Sequence, residues 1–249
     1  VYASKVKAGK RQDRFDTAVT PKGAAQTSVS GRCRMMEPER QWRLVTMLTN
    51  EKIAATDHPV HDLIRRRWSP YAFDTRPVSQ ADLRSLFEAA RWAPSSYNEQ
   101  PWSYIVATKD DPGEFERLLA CLVEGNQVWA KQAPVLALGV VSLKFTRNGK
   151  ENRAAVHDLG LAAGNLVLEA TARGLVVHQM IGILPDKARE TYRIPEGHEA
   201  WTGIAVGYEG DQAALPASLR ERDFAPRQRK KLHEFVFTGS WGSPSARVS

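Results

Sequence analysis

Ala93-Pro94-Ser95-Ser96-Tyr97-Asn98-Glu99-Gln100-Pro101-Trp102 places two serine hydroxyls, two side-chain amides and two prolines where one element gives way to the next. Upstream, Leu83, Leu86, Phe87, Ala90 and Ala93 recur at helical spacing, and residues 102–108 are rich in aromatic and β-branched side chains. The segment therefore reads as a helix-to-strand loop. Pro94 and Pro101 restrict their own backbones and those of Ala93 and Gln100. Such a stiff polar loop presents NH and OH groups in fixed positions for a polar ligand.

Outward from it, Ser79 is the expected N-cap of the upstream helix, with Asp82 at the positive end of its dipole. An earlier helix is predicted from an N-cap at Asp57, carrying Val60, Leu63 and Ile64 on one face and ending at Arg65-Arg66-Arg67 before Ser69-Pro70. Downstream, a helix through Phe115, Leu118, Leu119 and Leu122 is punctuated by Gly125-Asn126. The apolar run 135–141 predicts a central strand covered on both faces. The longest helix is expected over 151–173, stopped by Gly174, and its Ala154, Ala155, Gly160, Ala162, Ala163, Gly164 and Ala170 suit a close packing interface, such as one between subunits. A strand over 175–181, a short helix after Pro185 and a strand over 201–206 follow. Past Tyr208 the chain is polar and basic until an apolar cluster at 232–237 and Trp241, predicted to form an arm wrapped on a second subunit.

The 249-residue chain, 42% hydrophobic, is long enough for one sizeable core. Residues 1–50 read as a basic leader that does not pack, because they lack a periodic apolar face. They hold ten of the 35 Lys and Arg but four of the 28 acids, hence +6 of the net +7. The rest is nearly balanced, so nucleic acid is an unexpected partner. The leader reads as a solvated extension, or as sequence ahead of a true start at Met35, Met36 or Met47. No apolar run of roughly 7 to 15 residues follows its basic residues, so it does not read as a signal peptide. Cys33 and Cys121 lie far apart, which shows neither zinc spacing nor a disulfide framework and fits a cytoplasmic protein. The run 133–143 contains Pro134 and is too short for a membrane helix.

Three segments together resemble the flavin-dependent nitroreductase family. Arg65-Arg66-Arg67-Trp68-Ser69-Pro70-Tyr71-Ala72-Phe73-Asp74 is similar to its opening basic-basic-Ser motif followed by Phe. The run Pro94-Ser95-Ser96-x-Asn98-x-Gln100-Pro101-Trp102 is close to its most recognisable string. Arg227-Gln228-Arg229-Lys230-Lys231-Leu232-His233-Glu234-Phe235-Val236 is similar to its C-terminal phosphate-binding pair ahead of a terminal arm. The resemblance implies an α+β fold: a three-layer α/β/α sandwich with a mostly antiparallel mixed sheet over 51–249, and a C-terminal arm, 209–249, exchanged in a homodimer. No Gly-x-Gly-x-x-Gly follows a strand and no Walker-type loop occurs, so a dedicated dinucleotide domain is not expected.

The resemblance also implies FMN as cofactor and NAD(P)H as a transient hydride donor. A phosphate, a polyol and a large ring call for cations, hydrogen-bonding loops and an apolar slot. By carry-over, Arg67, Trp68 (through its backbone), Ser69, Arg227 and Arg229 serve the phosphate and ribityl end, since planar guanidinium forks suit phosphate oxygens. Pro94, Ser95, Ser96 and Asn98 would line the ring from the opposite subunit. Asn126 would contact the pyrimidine, and Ile181-Gly182 would bring a backbone NH near N5. Read without the family, the arginines are solvated charge runs, Ser95 and Asn98 cap a turn, and Asn126 is a helix C-cap. No acid–base residue is required; His178 is a weak proton-donor candidate at the rim of a core strand. Tyr71 and Trp129 stand where relatives carry cations near flavin N1 and O2, and are expected to narrow the substrate cleft. The implied activity is ping-pong passage of hydride from NAD(P)H to a nitroaromatic, a quinone or a similar small acceptor. Dehalogenation, enoate reduction, substrate oxidation or flavin reduction on the same scaffold remain alternatives, as does a non-enzymatic anion-binding protein.

Overall fold

The computed structural model describes residues 52–248, so the expected 1–50 leader lies outside the described residues. The elements run α1 (Asp62–Arg66), β1 (Phe73–Asp74), α2 (Gln80–Arg91), β2 (Trp102–Thr108), α3 (Pro112–Leu119), α4 (Glu124–Ala130), β3 (Val135–Ser142), α5 (Ala155–Ala172), β4 (Val176–Met180), α6 (Pro185–Tyr192), β5 (His198–Glu209) and α7 (Ala217–Phe224). The sheet order is β1-β5-β3-β2, with β4 also pairing β5. Every pairing among these strands is antiparallel.

Alternation along β3 divides the core into the predicted layers. Val135 and Ala137 face α2 and α5, packing with Leu86, Ala90, Leu166 and Ala170. Leu136, Leu138 and Val140 face the other way, against Phe115, Leu118, Leu122 and Trp129 of the α3–α4 region. Successive side chains of a strand point to opposite faces, so an unbroken apolar run fills two interfaces at once. Each fully buried leucine here contributes on the order of 1.5–3 kcal/mol.

Local signals held where neighbours decide the outcome. Ser79 Oγ accepts from Asp82 N at 3.0 Å, and α5 stops before Gly174, whose φ of +71° is a left-handed conformation that favours glycine. Two expectations need correction. The first helix begins at Asp62, capped by His61, and buries none of its residues; Asp57 instead pairs with Lys231 Nζ at 2.9 Å, so its carboxylate is engaged by the C-terminal segment. Gly125-Asn126 does not end a helix: α3 stops at Leu119 and both residues lie in the first turn of α4, behind Val123 as N-cap. A seven-residue helix is too short for periodicity to announce.

Among the described residues, nothing beyond the helix's own backbone and their chain neighbours lies within 4 Å of where a Cβ on Gly160 or Gly164 of α5 would stand, and the neighbouring Leu161 is exposed. The late aromatic cluster is likewise uncovered: Trp241 packs edge-on against Phe237 at 5.3 Å yet is 94% exposed. Among the described residues no helix is long and apolar enough to cross a membrane.

Candidate functional site

The Arg67, Arg227 and Arg229 guanidiniums converge although 160 residues separate the first from the second. Burial, then the charge of Arg229, lowers the pKa of Arg67; burial, then Arg67 and Arg229, lowers that of Arg227. No carboxylate among the described residues neutralises the group. Three like charges held together, two of them partly withdrawn from water, oppose folding unless an anion joins them. Arg67 Nη1 donates to Ser69 Oγ at 3.3 Å, which ties the two motif side chains together, while the Trp68 indole is buried. Only the backbone of Trp68 is free to serve a ligand.

A second group gathers at the end of β4. Asn126 Nδ2 donates to the Gly182 carbonyl at 2.9 Å, and Val123 N donates to the same oxygen at 3.1 Å. A Cβ on Gly182 would stand 2.5 Å from Asn126 Nδ2 and 2.9 Å from Val123 Cγ2, so only glycine lets the two segments approach this closely. The Gly182 N–H finds no acceptor among the described residues, and Ile181 beside it is 72% exposed. The strand therefore ends in an open apolar side chain and an unused donor.

The 94–100 loop is pinned from below. Ser96 N donates to Asp158 Oδ2 at 3.0 Å, and Ser95 Oγ accepts from Gln100 N at 3.0 Å. Tyr97, Asn98 and Gln100 all adopt positive φ, at 55°, 56° and 51°, a conformation that costs energy for non-glycine residues and is concentrated at ligand-binding loops. Pro94 and Asn98 are exposed. Arg147 covers the Tyr97 ring at 3.9 Å. No hydrogen bond among the described residues links this loop to the arginines or to Gly182.

Trp129 does not narrow a cleft: at 1% exposure it lies in the core, 5.3 Å edge-on from Tyr71 and 4.4 Å from His178 by ring centroids. The cause is the short α4, whose buried face carries Trp129 and Ala130. His178 sits between these rings with Nδ1 2.9 Å from the Pro70 carbonyl. Burial lowers its pKa, against the pull of that carbonyl, so the ring is a neutral spacer under the 67–72 loop. Tyr71, packed on Trp129 and His178, gives its backbone N–H to Asp223.

Sequence reasoning missed two aspartates. Asp158 is the one acid among Ala155, Leu159 and Ala162 on the buried face of α5, a signal present in the sequence. Asp223 lies within Arg220-Glu221-Arg222-Asp223 and looks like any solvated charge, yet is 2% exposed.

The sequence model of the nitroreductase family matches residues 64–128 and 114–208. A solved structure described as an oxidoreductase containing FMN aligns at TM-score 0.73 and 34% identity, over 79% of this chain and all of the other. An uncharacterised 15.4 kDa protein of Mycolicibacterium smegmatis is 34% identical over 130 residues, 52% of this chain and 86% of its own. The major NAD(P)H-flavin oxidoreductase of Aliivibrio fischeri is 24% identical over 219 residues, 72% of this chain and 98% of its own.

Proposed function

Because this chain belongs to the nitroreductase family of FMN-type NAD(P)H oxidoreductases, we propose that it binds FMN and passes hydride from NAD(P)H to a nitroaromatic, a quinone or a similar small acceptor. The observation that carries the reading is the trio of guanidiniums without a carboxylate partner, a donor set suited to a dianionic phosphate. When bound, FMN would supply reversible hydride acceptance, the chemistry that a ping-pong pair of half-reactions needs. Arg67 and Arg229 bind the phosphate and Ser69 the ribityl chain. Asn126 and the Gly182 N–H hold the ring's polar edge, and the exposed Ile181 excludes water beside it. No side chain moves a proton in this scheme, in keeping with the neutral, enclosed His178.

Purified full-length protein is expected to be yellow. Initial rates with NADPH or NADH against menadione or nitrofurazone should give parallel double-reciprocal lines. Colourless protein that takes up no added FMN would favour a non-enzymatic anion binder, and intersecting lines would exclude ping-pong transfer.

The 94–100 loop serves the site of a second copy, a homodimer in which the open Gly160–Gly164 face of α5 and the Trp241 arm are covered. Small residues on a helix allow the close backbone approach such a face needs. Sedimentation should find the dimer mass for the parent chain and a shift toward monomer for Gly164→Arg. A parent chain that sediments as a monomer at micromolar concentration would sink this assembly.

A further inference from the structure

The two arginine-bearing segments lie at opposite ends of the described chain, and three groups fasten them to each other. Lys52, 7% exposed, donates from Nζ to the Ala225 carbonyl at 2.9 Å and stands 5.2 Å from the Trp68 ring centroid. Asp223 accepts from Tyr71 N through Oδ1 at 3.0 Å and from Ala72 N through Oδ2 at 3.4 Å. Arg227 Nη1 donates to the carbonyls of Lys52 and Arg65, each at 2.7 Å. The stretch 223–227 is thus bound to the backbone just after Ser69 and again to the backbone just before Arg67.

These contacts engage neither the Arg67 nor the Arg229 guanidinium. They fix the segments that carry them. Burial raises the carboxyl pKa of Asp223, while its two backbone donors and the Lys52 charge draw it back down. A buried cation and a buried carboxylate are costly compared with apolar side chains of the same size, and in return their directional bonds set one segment's register on the other. That register matters here because the arginines repel one another and would spread apart if their segments were loose.

Resting on the flavin reading above, we propose that Lys52, Asp223 and Arg227 are positioning residues that hold Arg67 and Arg229 as a preformed phosphate clamp. Preference for the phosphorylated flavin over its unphosphorylated form then depends on Lys52 and Asp223, which do not touch the phosphate. Arg227, whose Nη1 is already engaged by two carbonyls, acts as a strut more than as a phosphate ligand. The leader is dispensable only as far as this knot: removing residues 1–46 spares Lys52, and removing 1–54 does not.

The test titrates the flavin-stripped full chain with FMN and with riboflavin, following flavin fluorescence, for the parent, Lys52→Met and Asp223→Asn. Each variant is expected to lose roughly tenfold or more in FMN affinity, about 1.4 kcal/mol, with riboflavin affinity within about twofold of the parent. Loss of a general structural support would weaken both ligands alike, and that result overturns the proposal, as does a variant that keeps the parent's FMN preference. A parent chain that does not discriminate FMN from riboflavin defeats the phosphate-site reading itself. If Asp223→Asn does not fold, Lys52→Met, unbranched and of similar length, decides the matter alone.

Discussion

Arg67→Ala protein is expected to bind FMN about a hundredfold more weakly than the parent while its affinity for riboflavin stays nearly unchanged. A charge-assisted hydrogen bond in a partly desolvated setting is worth about 1.5–3 kcal/mol, and the upper part of that range corresponds to two powers of ten. The flavin-free variant should melt no lower than the parent. The bond it loses, Arg67 to Ser69 in the parent, is a long 3.3 Å, and removing the charge relieves repulsion from Arg227 and Arg229. Stability is therefore lost only in the presence of FMN, through weaker ligand linkage. Arg67→Lys should recover little, because a point charge does not reproduce the fork. Arg76→Ala is the control, since Arg76 lies 3.5 Å over the Tyr208 ring and its charge does not shift Arg67 or Arg227 as the trio's own charges do. FMN binding within threefold of the parent in Arg67→Ala would remove this arginine from the site.

Gly210→Ala is expected to destabilise the chain by about 3 kcal/mol or more, at the upper end of what overpacking causes, and to lower the melting temperature by about 10 °C. A Cβ there would collide with the Phe73 carbonyl carbon and lie 2.6 Å from its oxygen and 2.8 Å from Asp74 N. All are backbone atoms, so no rotamer change relieves the clash. Gly210 also donates to Ala72 O at 3.1 Å, and β1 pairs with the end of β5 at Phe73 and Glu209. Displacing this corner moves the loop that carries Arg67 and Ser69, so weaker FMN binding should accompany the loss. Gly125→Ala offers the contrast: among the described residues nothing outside its own helix lies within 4 Å of its Cβ, and alanine in α4 should stabilise by about 0.5–1 kcal/mol. A Gly210→Ala melting temperature within about 2 °C of the parent, roughly 1 kcal/mol or less, would contradict the close approach.

The sequence by itself determined the elements whose outcome depends on near neighbours. Ser79 and Asp82 set the start of α2 within one turn, the unbroken apolar run set β3 as a two-faced strand, and Gly174 stopped α5. The three motif segments named the family and pointed to Arg67, Arg227 and Arg229, because their residue order survives whatever the intervening loops do. Only the tertiary structure decided where Asp57, Trp129, Lys52 and Asp223 go. Asp57 left its helix for Lys231, Trp129 was drawn from the expected cleft into the core, and Asp223 entered the interior to meet backbone amides about 150 residues earlier in the chain. The physical reason is that a charged or amphipathic side chain has no fixed destination of its own. Whether it is solvated or buried depends on which donors and acceptors the rest of the fold leaves for it, and those are assembled only when distant segments meet.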